Sequence, residues 1–222
     1  MIGSKAKEKI AKRDIGSIYF IAGILHPKIY SRRIKKSIES ELLPKKLNKV
    51  KITFFDDIFY THLEHKKERR IIINIIKHLK SDYKQSIKSN NKILILAHSW
   101  GGILAKTAIA EFLARVKSGL LSEDYSKLQN NIVLVTMATP HTMTHGGTGV
   151  SRNKLSTLVN IPEIKVYTFG GIFDVVVPVR FTFIENDKKI APNTFFKKVR
   201  ATHMMFLSSP RIQREIFNSV FK

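Results

Sequence analysis

One stretch constrains this fold most: branched apolar residues from Lys92 to His98 break at Ser99 and restart as Trp100-Gly-Gly-Ile-Leu-Ala-Lys106. The run does not alternate between apolar and polar, which is the pattern of a strand buried on both faces of a parallel sheet. Past the break, Leu104, Ala108 and Phe112 recur every four residues with Ile103 beside them, giving one apolar helical face to lie back on that sheet. Ser99 therefore falls at the carboxyl end of a central strand, where open α/β sheets bind their ligands. Two readings of this serine follow. It is a plain N-cap for the helix, or it is a nucleophile on a tight turn, facing the free N–H of Trp100 and the positive end of the helix dipole.

The other strands and helices repeat the same alternation. Ile18–Ala22, Val50–Phe55, Asn131–Ala138, Glu163–Gly170 and residues 195–200 read as further strands, and the apolar spacing of residues 28–46, 65–89 and 210–222 reads as helical, with Pro44 ending the first. The chain is thus α/β, with a mostly parallel central sheet flanked by helices. Residues 1–16, dense in Lys5, Lys7, Lys9, Lys12 and Arg13, are expected to be a basic arm outside the core, and residues 17–222 a single domain. Thr142–Asn160, rich in Thr, Gly, Ser and Asn, is expected to be a short cap over the site.

Composition narrows the chemistry. The 222 residues contain no cysteine, which excludes disulfides, thiolate metal sites and a thiol nucleophile, so serine must carry any nucleophilic step. No signal-like apolar segment follows Met1, and no apolar run approaches the ~20 residues of a membrane span, so a cytoplasmic protein is expected. The net charge of +22 is spread along the chain and predicts weak electrostatic adsorption to anionic membranes or polyanions. No nucleic-acid motif accompanies it, so no specific nucleic acid is expected. Asp56-Asp57 and the histidines His62, His65, His78 and His98 lack metal-ligand spacing and read as solvated or pocket-edge groups.

Ser99, Asp174 and His203 follow three separate strands in that order. Among the later acids, Glu163, Glu185 and Asp187 compete for the middle place, but only Asp174 sits in a turn just past a core strand. Ala97-His98-Ser99-Trp100-Gly101 resembles the G-x-S-x-G nucleophile elbow of the α/β-hydrolases with Ala in the first glycine position, and the order Ser, acid, His is also theirs. Ala22-Gly23-Ile24 resembles their oxyanion loop with Ala for the usual His, although a plain glycine turn is the simpler reading of those residues.

The resemblance spans about residues 17–221 and is to compact lipase/esterase-like serine hydrolases. It implies Ser99, Asp174 and His203 as catalytic residues, Ile24 and Trp100 as oxyanion-hole donors, no metal or cofactor, and a small acyl-ester or lipid substrate. Thr139-Pro140-His141 is similar to a strand end that borders the acyl pocket in such enzymes, and Val175–Val177 and Met204-Met205 are expected to line that pocket. A thioesterase or acyltransferase would use the same acyl-enzyme. A non-catalytic basic binding module on a hydrolase scaffold is the alternative from another class.

Overall fold

Strands whose residues are apolar at every position need cover on both faces, and helices supply it here. The computed structural model describes residues 9–23, 28–43, 50–55, 65–119, 131–141, 164–182 and 194–221. Its strands are β1 (Ile15–Ile21), β2 (Lys51–Phe55), β3 (Lys92–His98), β4 (Ile132–Met137), β5 (Ile164–Gly171) and β6 (Thr194–Val199). They form one sheet in the order β2-β1-β3-β4-β5-β6, and every neighbouring pair is parallel. The helices are α1 (Lys28–Glu41), α2 (His65–Ser89), α3 (Trp100–Lys117), the single-turn α4 (Met205–Ser208) and α5 (Pro210–Val220).

The strand order places the site. From β1 the chain steps outward to β2, then crosses back over β1 to β3 and continues to β6. Right-handed crossovers put helices on opposite faces when the direction of travel reverses. Accordingly α2 packs on α3, while α1 packs on α4 and α5. The reversal leaves a crevice at the carboxyl ends of β1 and β3, and Gly23 and Ser99 are the residues there.

The central strands match their sequence pattern, with β4 buried along its whole length and β3 from Ile93 to His98. At the β2 edge, Tyr19 donates to Asp82 at 2.9 Å and Lys51 reaches the other oxygen of that carboxylate at 2.9 Å. Burial first, and then Asp82, push the Tyr19 phenol above its usual range.

Three boundaries differ from the sequence expectation. β1 starts at Ile15, and Ile10 is buried and bridges to Phe221, so the arm expected over residues 1–16 is part of the packed fold from Ile10 onward. The reason is that Ile10, isolated among basic residues, and Ile15, between Asp14 and Gly16, each fill a core position. α1 ends at Glu41 instead of continuing to residue 46, in keeping with the restriction that Pro44 places on the residue before it. α4 falls between His203 and Pro210, a stretch where no element is expected from the sequence.

Lys66, Arg69, Arg70 and Lys77, with Ile73 and Asn74, line an open groove of about 610 Å³ along α2, and none of Ser99, Asp174 and His203 is among them. No helix among the described residues is long and apolar enough to cross a membrane.

Candidate active site

The turn from β3 into α3 has the geometry of an elbow. Ser99 holds φ 52° and ψ −130°, a left-sided backbone that costs an L-residue about 1–2 kcal/mol. Its N–H donates to the Met137 carbonyl at 2.9 Å, and its own carbonyl accepts from Gly102 at 3.0 Å, so the backbone on both sides is fixed. The hydroxyl does not cap the helix. That removes the plain N-cap reading, and among the described residues Ser99 Oγ makes no hydrogen bond at all. The N–H of Trp100, at the first position of α3, has no intrahelical partner available to it.

Small residues around the turn have a specific cause. A Cβ on Gly101 would run into the carbonyl oxygens of Ile21 and Ala22, and one on Gly23 would lie 2.7 Å from Ser99 Cβ. The start of α3 thus crosses the end of β1 in backbone contact. The crowding comes from β1, not from β3 and α3 approaching each other. Ala97, flanked in the sheet by Ile21 and Thr136, is buried without strain.

Asp174 and His203 meet as a pair. Asp174 follows β5 in a tight turn, and its side chain is fully shielded. One carboxylate oxygen accepts from the N–H groups of Val176 and Val177 at 2.9 and 2.8 Å, and the other lies 2.8 Å from His203 Nδ1. With the carboxylate accepting, Nδ1 carries the ring proton and Nε2 keeps its lone pair. The same two backbone bonds curl the loop so that Val175 and Val176 point outward, 89% and 60% exposed, and only Val177 is buried. This corrects the expectation that all three valines line an acyl pocket.

Two contributors escaped the sequence reading. His98, expected to be solvated or at a pocket edge, is buried; its Nε2 lies 3.0 Å from the His203 carbonyl oxygen and its ring stands 4.6 Å from the His203 ring. It therefore ties the His203 loop to the end of β3, next to Ser99. Glu68, buried at the start of α2, accepts from the Trp100 indole N–H at 2.7 Å and so holds the first residue of α3. Neither link has a local signal, because each joins residues far apart in the chain. His78 was also read as solvated or pocket-edge, but it packs edge-on against Tyr19 and Phe55.

Several expected positions fall outside the described residues: the oxyanion donor Ile24, Asp56-Asp57, His62, the cap Thr142–Asn160, and the competing acids Glu163, Glu185 and Asp187.

Residues 65–158, which contain the elbow, match the family described as "Putative serine esterase (DUF676)". No curated protein matches the sequence. Among solved structures, an esterase from Pyrococcus furiosus is similar with a TM-score of 0.55 at 14% identity, over 95% of this chain and 84% of that one. The esterase domain of a Rhodothermus marinus protein gives 0.53 at 14% identity over 92% and 83%. Est1E from Butyrivibrio proteoclasticus gives 0.53 at 14% identity over 93% and 89%. The chain has the α/β-hydrolase fold.

Within this hydrolase fold an unusual polar chain lies behind the elbow. Lys106, two turns along α3 from Ser99, is buried, and its Nζ lies 2.9 Å from His141 Nδ1. His141 Nε2 lies 3.0 Å from the Thr136 hydroxyl, which donates to Thr168 at 3.1 Å. With Thr136 donating onward, it accepts from His141 Nε2–H, which leaves Nδ1 as acceptor for the amine. His141 is therefore neutral, and burial, with Lys106 beside it, holds its pKa well below the usual range. Burial alone lowers Lys106 from 10.5 to about 7.

The sign of the linkage is fixed by that depression. Between pH 10.5 and about 7 the unfolded chain carries a proton on Lys106 that the folded chain lacks, so stability falls as pH falls through this window and levels off below it. Lys106→Met is expected to remove that slope, roughly 1 kcal/mol per pH unit. Urea unfolding of both proteins at pH 7 and near pH 10 measures it. The variant's relative advantage should be larger at pH 7, and equal slopes would mean that the amine stays charged in the fold.

Proposed function

We propose that this chain is a serine hydrolase of carboxylic acyl esters, with Ser99 as nucleophile, His203 as general base and acid, and Asp174 as the carboxylate that orients it. His203 Nε2 takes the Ser99 hydroxyl proton as Oγ attacks the acyl carbonyl carbon. The resulting oxyanion accepts hydrogen bonds from the N–H of Trp100 and, by the resemblance of Ala22-Gly23-Ile24 to an oxyanion loop, from Ile24. His203 then passes the proton to the departing alcohol as the C–O bond breaks, leaving an acyl-Ser99 ester. Water, giving a proton to His203, attacks that ester, and the acid leaves as Ser99 recovers its proton.

The observation that carries the reading is the His203–Asp174 pair at 2.8 Å, tied by His98 to the strand that ends in an uncapped Ser99. Ser99 and His203 are not yet hydrogen-bonded to each other, and such contacts commonly tighten only when substrate binds. A match to a family described as serine esterases and a fold shared with esterases point the same way. The substrates proposed are uncharged apolar esters of short to medium acyl length.

Labelling with a fluorophosphonate, followed by peptide mapping, tests the mechanism: Ser99 should be the rapidly labelled residue, and an unlabelled Ser99 in folded protein would refute it. A panel of p-nitrophenyl esters from acetate to palmitate, with acyl thioesters and an amide, tests the substrate class. A preference for thioesters would move the assignment to thioesterase.

A further inference from the structure

The turn that carries Asp174 presents apolar side chains to solvent at the rim of the site. Ile172, Phe173, Val175 and Val176 are 48%, 54%, 89% and 60% exposed, and they account for four of the six large apolar side chains exposed among the described residues. They are not a loose loop. Asp174 accepts from the N–H groups of Val176 and Val177, and the N–H groups of Ile172 and Phe173 donate to the carbonyls of Val199 and Ala201 at 2.9 and 3.2 Å. The tip is thus braced from both sides, and its apolar groups are held outward.

Its surroundings are cationic. Arg200 lies over the Phe173 ring at 6.0 Å, and Arg180 lies over the neighbouring Phe181 ring at 4.8 Å. Both arginines and Lys198 are exposed. Across residues 171–182 and 194–205 the one acid is Asp174, which is buried and committed to His203 and the turn. A braced apolar tip ringed by cations is the arrangement that lodges in the headgroup region of an anionic bilayer, the apolar groups reaching the acyl boundary and the cations pairing with phosphates.

We propose that the 172–176 turn docks this protein on anionic phospholipid surfaces, with the mouth of the Ser99 site facing the lipid. A second copy of the chain is the poorer occupant. Two bodies of net charge +22 repel, and four side chains fall well short of the roughly 800 Å² per partner of a standard interface. The docking does not depend on the chemistry proposed for Ser99, because binding is read without turnover.

The test is co-sedimentation of the full chain with phosphatidylglycerol/phosphatidylcholine vesicles at ~0.1 M and ~1 M salt, where the screening length drops from about 10 to about 3 Å. Wild type should bind, and part of the binding should survive at high salt. Phe173→Ser and Val175→Ser should each weaken binding about tenfold, equivalent to about 1.4 kcal/mol. Circular dichroism and the urea unfolding midpoint should be unchanged in both, which shows that they fold independently of any turnover. Wild-type binding by the two variants combined, or binding that vanishes completely at high salt, would overturn the proposal, since the diffuse charge would then explain all of it.

Discussion

Ser99→Ala is expected to lower ester turnover by up to ~10⁶-fold while leaving the fold intact. The size follows from what the proposed mechanism loses: its nucleophile goes, and the remaining donors only polarise a carbonyl that water must then reach unaided. The fold should survive because Ala keeps the Cβ that sits against Gly23, and because Ser99 Oγ makes no hydrogen bond among the described residues that its removal would orphan. Steady-state hydrolysis of p-nitrophenyl butyrate, with circular dichroism as the folding check, measures both halves. Turnover at the wild-type rate in a folded variant would end the case for this serine.

Asp174→Asn is expected to reduce turnover by about 10⁴-fold for a different reason. The carboxylate faces two kinds of donor: backbone N–H groups on one oxygen and His203 Nδ1–H on the other. An amide has one oxygen. If it serves the backbone, its NH₂ faces Nδ1, which must then accept, and the proton moves to Nε2 where the base is needed. The turn remains held while the imidazole is left in the wrong tautomer. The expected signature is therefore a collapse in kcat with near-normal unfolding. A harmless Asp174→Asn beside a damaging Asp187→Asn would transfer the acid's role to Asp187.

Much of the candidate site was legible because the relevant signals are local. An unalternating apolar run ending at a serine, followed by small residues and a helical period, defines the elbow without reference to the rest of the chain. Asp174 and His203 were readable because each stands just beyond a strand, and parallel strands deliver all such positions to one edge. What stayed hidden depends on partners distant in sequence. Lys106 reads as one more cation in a chain with 39 Lys and Arg, and its burial beside His141, 35 residues away, has no local signal. His98 and Glu68 have roles set by His203 and Trp100, which no spacing reveals. The valines after Asp174 read as pocket-lining because they are apolar, and the turn held by the Asp174 carboxylate points Val175 and Val176 outward while Val177 stays buried. Residues 10–16 differ from the arm expected there because Ile10 reaches the core by pairing with Phe221, a contact between residues far apart in the sequence.

That last pairing sets the orientation of the whole molecule. Ile10 N–H donates to the Val220 carbonyl at 3.0 Å, which brings the two ends of the described chain together at the edge where the strands begin. Ser99, Asp174 and His203 lie at the edge where the strands finish. The junction of Ile10 with Val220 and Phe221 therefore lies on the far side from Ser99, so the pairing that joins the two ends of the described chain leaves the approach to the candidate site open.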